Sequence, residues 1–393
     1  MKNTEEKMSF WKKHKILKTI IFILLFIAIL LLAYAAYLKS GGLDANTFEI
    51  ISGKILKVFS RNAIDDEERK IYEISFESKE KPEFTTYDNI IIKCTLYGIT
   101  SFDKKGNELW SVTVKLDKPL VKTKGCNVLV YDFGGRQMFI LNSKGVEWEK
   151  SFDGDIINAD INKQGFVTVL HELEDYKGIV KVFSPDGQEI FRRIIANTFI
   201  FSGEVFPSGN TVVIHGIDIS GIGATSHIEF TDLTGQPYAA LRPQEDVIFP
   251  FLFVFDDDSF IVANDKTVIY FNKNRNKIWS NDYNKICGAG ILNDKFLVAA
   301  VNSKEESDSC VIEIIDRQGN TVGEFRPGDS MVSNIAAYKD IAAVNTGREV
   351  YFIDSKGNLI SIYNTISDIK EVHFLNRNEA VLITLNSIYI IKI

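Results

Sequence analysis

A turn signature recurs seven times along this chain. A hydrophobic run ends in Asp, Asn or Ser, and a Gly usually follows three residues later. The copies start at Asp103, Asn142, Ser184, Asp232, Asn272, Asp316 and Asp354. Neighbouring copies lie roughly 40 residues apart, the period of propeller blades and of several solenoids. Asp, Asn and Ser suit the first position of a type I turn, where the side chain bonds backbone further on. Gly suits the fourth, where left-handed dihedrals follow. The combination makes a short bulged hairpin loop. Only the fifth copy departs, with Arg275 in place of Gly, so it must accept the left-handed dihedral or change the turn. The flanking runs are rich in Ile, Val, Phe and Tyr, which favours strand over helix.

One unit can be written out in full. Ile156 to Asp160 is a first strand, Phe166 to Leu170 a second, Ile179 to Phe183 a third, and Gln188 to Ile195 an outer fourth. The next unit runs from Glu204 to Phe206, through Thr211 to Ile214 and a long loop, to Ile228 to Thr231. Four antiparallel strands at this length describe a propeller blade. A parallel β-helix needs shorter rungs. The chain closes with Glu379 to Thr384 and Ser387 to Ile393, a second and a third strand that lack a fourth. Lys70 to Phe76 reads as a fourth strand with no unit before it. Pairing the two closes the ring and removes its exposed edges. Seven signature turns plus this composite unit predict an all-β, eight-bladed β-propeller over 70–393; seven blades is the alternative count.

Upstream, Thr19–Leu38 is uncharged and about 20 residues long, enough to cross a bilayer as a helix. Lys12, Lys13, Lys15 and Lys18 precede it. The positive-inside rule then places a basic tail, 1–18, in the cytoplasm and everything after Leu38 outside. A cleaved signal peptide is the rival reading, but the apolar run exceeds a typical signal core. Residues 39–69 form a juxtamembrane linker, with the charged run Asp65-Asp66-Glu67-Glu68-Arg69 as its solvated part.

The net charge of -7, with no basic stripe outside the N-terminus, argues against a nucleic-acid partner. Cys94, Cys126, Cys287 and Cys310 have no metal-ligand spacing and read as small core or strand residues, with one disulfide open in an oxidising compartment.

The repeat resembles the eight-bladed quinoprotein-like (PQQ-type) propellers, whose outer strands often carry Gly-Asn-x-x-Trp. Here it stands as Gly106-Asn107-Glu108-Leu109-Trp110 and, loosely, as Asn276-Lys277-Ile278-Trp279. With its N-terminal anchor the chain also resembles an uncharacterised family of membrane-anchored propellers from Gram-positive bacteria. The resemblance implies the fold of 70–393 and is unspecific for activity. The full tryptophan-docking motif of the quinone-dependent dehydrogenases is absent from most units and their vicinal cysteine pair is missing, so no cofactor is expected.

Strand order sorts the loops onto two faces. Loops joining second to third strands share a face with the connections between blades. The longest are His171 to Gly178, His215 to His227 and Asn302 to Ser309. They offer His171, Glu172, Asp175, His215, Asp218, His227, Glu305 and Asp308 as a candidate binding face, because long loops on a regular scaffold are where binding concentrates. The histidines lack HxH or HExxH spacing, so ordinary strand-end polar residues outweigh a metal site. Asp256-Asp257-Asp258 lacks EF-hand spacing and reads as a solvated hairpin turn. No GxSxG, no dinucleotide fingerprint and no marked carboxylate pair appears.

These observations lead to a non-enzymatic, membrane-anchored, extracytoplasmic propeller that binds an envelope protein, peptide or cell-wall ligand through one face. An extracytoplasmic enzyme of quinoprotein-like or glycan-active type is the alternative. Ligand sensing ranks third, since the short cytoplasmic tail leaves little room for an output domain.

Overall fold

The computed structural model describes residues 70–393, apart from 78, 80, 197, 303–309 and 329–330. The basic tail, the apolar segment Thr19–Leu38 and the linker up to 69 lie outside the described residues.

Eight four-stranded antiparallel sheets form the blades. Blades 1 to 7 span 83–113, 119–151, 156–195, 199–241, 251–282, 285–325 and 334–364. Blade 8 combines Glu371–Asn376, Glu379–Ile383 and Ser387–Lys392 with Lys70–Ser75 from the other end of the chain. The register runs from Tyr72 opposite Ile390 to Ser75 opposite Ser387. The ring is thus closed by strand exchange, as the unpaired terminal strands predict.

In several blades the second and third strands are buried along their length rather than alternating. In blade 3, Val167–His171 and Gly178–Phe183 are buried at every position. The reason is that both faces of each sheet pack against a neighbouring blade, so neither side of a middle strand meets water. Val350 to Ile353 is buried throughout for the same cause. Alternation survives on the outer strands, such as Glu108–Thr113.

Packing is organised between blades. Eight apolar clusters each join two successive sheets, including one that joins blade 8 to blade 1. An open arc of eight blades has only seven such interfaces, so eight clusters mean closure. Phe206, Phe230, Phe249 and Phe260 fill the interface between blades 4 and 5. Each such buried side chain contributes about 1.5–3 kcal/mol of transfer free energy.

All seven signature turns join third to fourth strands. At Asp103 the carboxylate Oδ1 accepts the amides of Lys105 (2.8 Å) and Asn107 (2.9 Å), and Gly106 takes φ +85°. Asp232, Asp316 and Asp354 repeat this geometry. Arg275 accepts the left-handed dihedral, φ +66°, and its guanidinium lies over the rings of Tyr238 and Phe230, 5.2 and 5.4 Å from their centroids. The second copy differs. Its turn is one residue shorter, with Leu141 opposite Val146 where Phe102 stands opposite Glu108, and Asn142 pairs directly with Gly145.

Blade 4 departs from expectation. Its second and third strands, Thr211–Asp218 and Thr225–Asp232, extend well into the anticipated loop, which shrinks to 219–224. Gly216 pairs with His227 and Ile217 with Ser226. Glycine and polar residues concealed this stretch of hairpin. Gly216 is required there, because a Cβ would lie 2.6 Å from the Phe199 carbonyl oxygen.

Candidate binding face

The loops joining second to third strands, together with the blade-to-blade connections, form one face of the ring. The hairpins between first and second and between third and fourth strands form the other. The two differ in chemistry.

On the hairpin face, charged side chains bind neighbouring blades to one another. The Asp256-Asp257-Asp258 turn is part of this belt. Asp258 accepts the Ser208 amide at 2.9 Å, and the Asp256 amide donates to Asp294 at 2.8 Å. Arg317 reaches Asp257 at 2.5 Å and the Asp294 carbonyl at 2.6 Å, with its guanidinium 4.6 Å from the centre of the Phe255 ring. Lys163 pairs with Asp256. Burial works to raise the Asp257 carboxyl, but hydrogen bonds from Ser259 and the Arg317 charge outweigh it and leave it below its ordinary value. The turn is therefore protein-bound rather than merely solvated, and no cluster of metal-ligating side chains occurs among the described residues.

The loop face is decorated with apolar tips. Of the eighteen exposed large hydrophobics among the described residues, eleven stand there. Tyr97, Phe133, Tyr176, Ile219, Ile222 and Leu385 lie in the loops between second and third strands. Phe199, Ile248, Phe251, Met331 and Ile366 lie in the connections or open a first strand. The other seven lie on outer fourth strands, and none occupies a hairpin tip of the opposite face among the described residues.

A groove of about 760 Å³ opens on this face beside blade 3, lined among others by Arg136, Asp153, Glu172, Tyr176, Lys177 and Phe199. Arg136 holds Asp155 at 3.0 Å, and the Lys177 ammonium lies 4.2 Å from the centre of the Phe199 ring. Behind the groove sits His171. It is fully buried, with Nδ1 2.8 Å from the Glu172 carbonyl oxygen and Nε2 3.8 Å from Asp153. Lys181, also buried, stands 3.6 Å from the same carboxylate and 5.4 Å from the centre of the Phe152 ring. Burial pulls the His171 pKa below its ordinary value.

The remaining candidates separate. His215 lies within its strand, fully buried against Phe201 with ring centroids 4.3 Å apart. Burial pulls its pKa down to about 4, and neither ring nitrogen has a hydrogen-bond partner. It is a neutral packing residue. His227, in the facing strand, lines a smaller cavity of about 280 Å³ between blades 3 and 4, beside the Arg193–Glu229 pair at 2.6 Å. Asp218 accepts the Ser220 amide and holds Arg242, which together lower it to about 2. Glu172 and Asp175 are exposed, and Asp175 takes φ +68°. Glu305 and Asp308 lie outside the described residues. The three histidines thus do not converge on one ion.

Sequence reasoning missed the centre of the ring. Lys122 on the first strand of blade 2 donates to Asn158 (3.0 Å) and Asp160 (2.8 Å) of blade 3. Lys124 reaches Glu204 of blade 4. Burial works against the Lys124 charge, but Glu204 and Asp160 outweigh it and hold the amine above its ordinary value. Burial raises Glu204 in turn, even against the Lys124 charge. Across from these, the first strand of blade 6 presents Cys287, Gly288, Ala289 and Gly290. The Lys-Thr-Lys run at 122–124 was the available signal.

The comparisons with known proteins agree on the fold. BamB from Moraxella catarrhalis superposes with a TM-score of 0.53 at 13% identity, covering 82% of this chain and 99% of that one. The computationally designed Ika8 protein gives 0.60 at 13% identity, covering 83% and 100%. The C-terminal WD40 domain of Sif2 gives 0.59 at 10% identity, covering 83% and 96%. At such identities the likeness is one of fold alone. No functionally curated protein matches the sequence. The family model that does match spans residues 61–393, and the chain belongs to that family, the family of unknown function DUF5711.

Proposed function

We propose that this protein is a non-catalytic binding module that engages an envelope protein, peptide or cell-wall ligand through its loop face, with the propeller held outside the cytoplasmic membrane by Thr19–Leu38. One observation carries the binding part. The exposed apolar tips crowd one face, while the other is occupied by ion pairs between blades. Apolar groups grouped on one surface and rimmed by charge mark interaction sites. The groove beside Tyr176 and Phe199 adds a concave element with carboxylates and amines at its edge, suited to a peptide or a saccharide chain. The apolar segment and the lysines before it support the placement outside the membrane.

Two measurements test the two parts. Cys126 is exposed on the hairpin face. A membrane-impermeant maleimide applied to intact cells labels Cys126 if the propeller lies outside, and labels it only after lysis if it does not. Partner capture by cross-linking in native membranes should be lost in Ile222→Glu combined with Phe251→Glu. Capture that survives this change places the binding surface elsewhere.

A further inference from the structure

Two of the four cysteines meet. Cys287 Sγ and Cys310 Sγ lie 2.8 Å apart. Non-bonded carbon atoms pack at about 3.5–4.0 Å, and sulfur is larger, so this approach is closer than two unlinked sulfurs ordinarily take. We propose that Cys287 and Cys310 form a disulfide across the root of blade 6, and that Cys94 and Cys126 remain thiols.

The local geometry explains the meeting. Cys287 falls at a register shift, between the pairs Ile286–Val301 and Gly288–Ala300. It is the extra residue of a bulge, a device that re-aims a side chain. Cys310 directly precedes the third strand, whose first residue, Val311, pairs with the same Val301. Both sulfurs therefore flank one point of the second strand, Phe296–Asn302, at its loop-face end. The bond ties the first strand of the blade to the start of the third and closes a loop through the second. Cys310 is buried and Cys287 half-buried. Burial, followed by the neighbouring Cys287 sulfur, pushes the Cys310 thiol up to about 12, so in the reduced folded protein its thiolate is scarce at neutral pH. Cys94 is fully buried within the cluster between blades 1 and 2, and Cys126 stands exposed on the hairpin face.

The chemistry needs a disulfide as oxidant. The Cys287 thiolate attacks one sulfur of a disulfide between two monothiols, such as glutathione disulfide, and releases one thiolate. The Cys310 thiolate then attacks the Cys287 sulfur of the mixed disulfide and releases the second. The two cysteines lose two electrons and two protons in all, and the oxidant gains them as two thiols.

The test is made on purified full-length protein, so it does not depend on where the protein resides. Denatured, reduced protein is refolded with glutathione disulfide, then alkylated and mapped by mass spectrometry. The expected product is one cross-linked peptide pair containing Cys287 and Cys310, 2 Da lighter than the thiols, with Cys94 and Cys126 alkylated. Reductant should then lower the melting temperature of this protein by several degrees. It should leave the Cys287→Ala/Cys310→Ala variant unmoved, and Cys126→Ser should behave like the parent. Alkylated thiols at 287 and 310, stable glutathione adducts at both, or a bond from either to Cys126 overturns the proposal. If the double variant does not fold, the peptide map of the parent decides alone.

Discussion

The Trp148 indole Nε1 donates to the Pro185 carbonyl of the next blade at 2.9 Å, and its ring covers Gly187 of that turn so closely that a Cβ there would lie 2.9 Å from Cδ2. Trp279 repeats the arrangement with the Arg317 carbonyl (3.1 Å) and Gly319. Trp110 donates to the Ser143 carbonyl at 3.1 Å. The turn glycine therefore answers two demands, a left-handed dihedral and room for the neighbouring blade's aromatic ring. Gly187→Ala should cost about 2 kcal/mol or more, since the left-handed backbone alone costs an L-residue roughly 1–2 kcal/mol. Trp148→Ala should cost about 3 kcal/mol through lost packing, the low end for a tryptophan because its ring is only half-buried. Urea titration checks both, and midpoints equal to the parent's would contradict the docking account.

The buried His215 makes stability sensitive to acid. Its folded pKa, about 4, lies below the unfolded value of about 6.5. The unfolded chain therefore takes up the proton first as pH falls. The contribution is fully present above about pH 6.5 and declines by roughly 1.4 kcal/mol per pH unit down to the folded pKa. His215→Phe removes the titration and keeps a ring against Phe201. Denaturant midpoints between pH 7 and pH 5 should fall more steeply in the parent than in this variant. Parallel curves would show that His215 titrates normally.

The ring closes through the strand Lys70–Ser75. Deleting residues 70–75 leaves Ser387–Lys392 as an unpaired edge and strips cover from the interface that holds Ile71 and Ile74. The deletion should lower thermal stability and drive association through the bare edge. Light scattering of the soluble ring checks this; a monomer of parental stability would mean that the closure contributes little.

The two faces should respond differently to mutation. Arg317→Ala removes contacts to Asp257 and Phe255 of blade 5 and to Asp294 of its own blade, and should cost about 1–3 kcal/mol of stability with partner capture intact. Ile222→Glu alters a fully exposed tip and should shift stability by less than about 0.5 kcal/mol while weakening capture. Weakened capture in a folded Arg317→Ala protein would implicate the wrong face.

The blades were legible because each turn carries its own chemistry. Asp103, Asp232, Asp316 and Asp354 announce hairpins locally, whatever packs on them. Lys70–Ser75 was legible because a strand without a unit needs a partner. The loop face was less so. His171 and His215 drew attention as strand-end polar residues of a binding face, yet both are buried in the blade interfaces, where a neutral imidazole serves as a flat filler against Phe152 and Phe201. The stretch Thr225 to His227 concealed a strand because it is polar, and pairing with Ile217 and Gly216 makes it one. The apolar tips were invisible for the opposite reason. A lone Ile or Tyr in a loop says nothing until the fold gathers many onto one surface. The closeness of Cys287 and Cys310 likewise depends on a bulge that no local pattern encodes.

The most direct test of the central claim places a photo-activated cross-linking residue at Ile222 on the loop face or at Lys273 on the hairpin face of the full-length protein, in native membranes. The account predicts a discrete adduct from position 222, abolished by Phe251→Glu, and none from position 273. An adduct from position 273, or none from position 222, would contradict it.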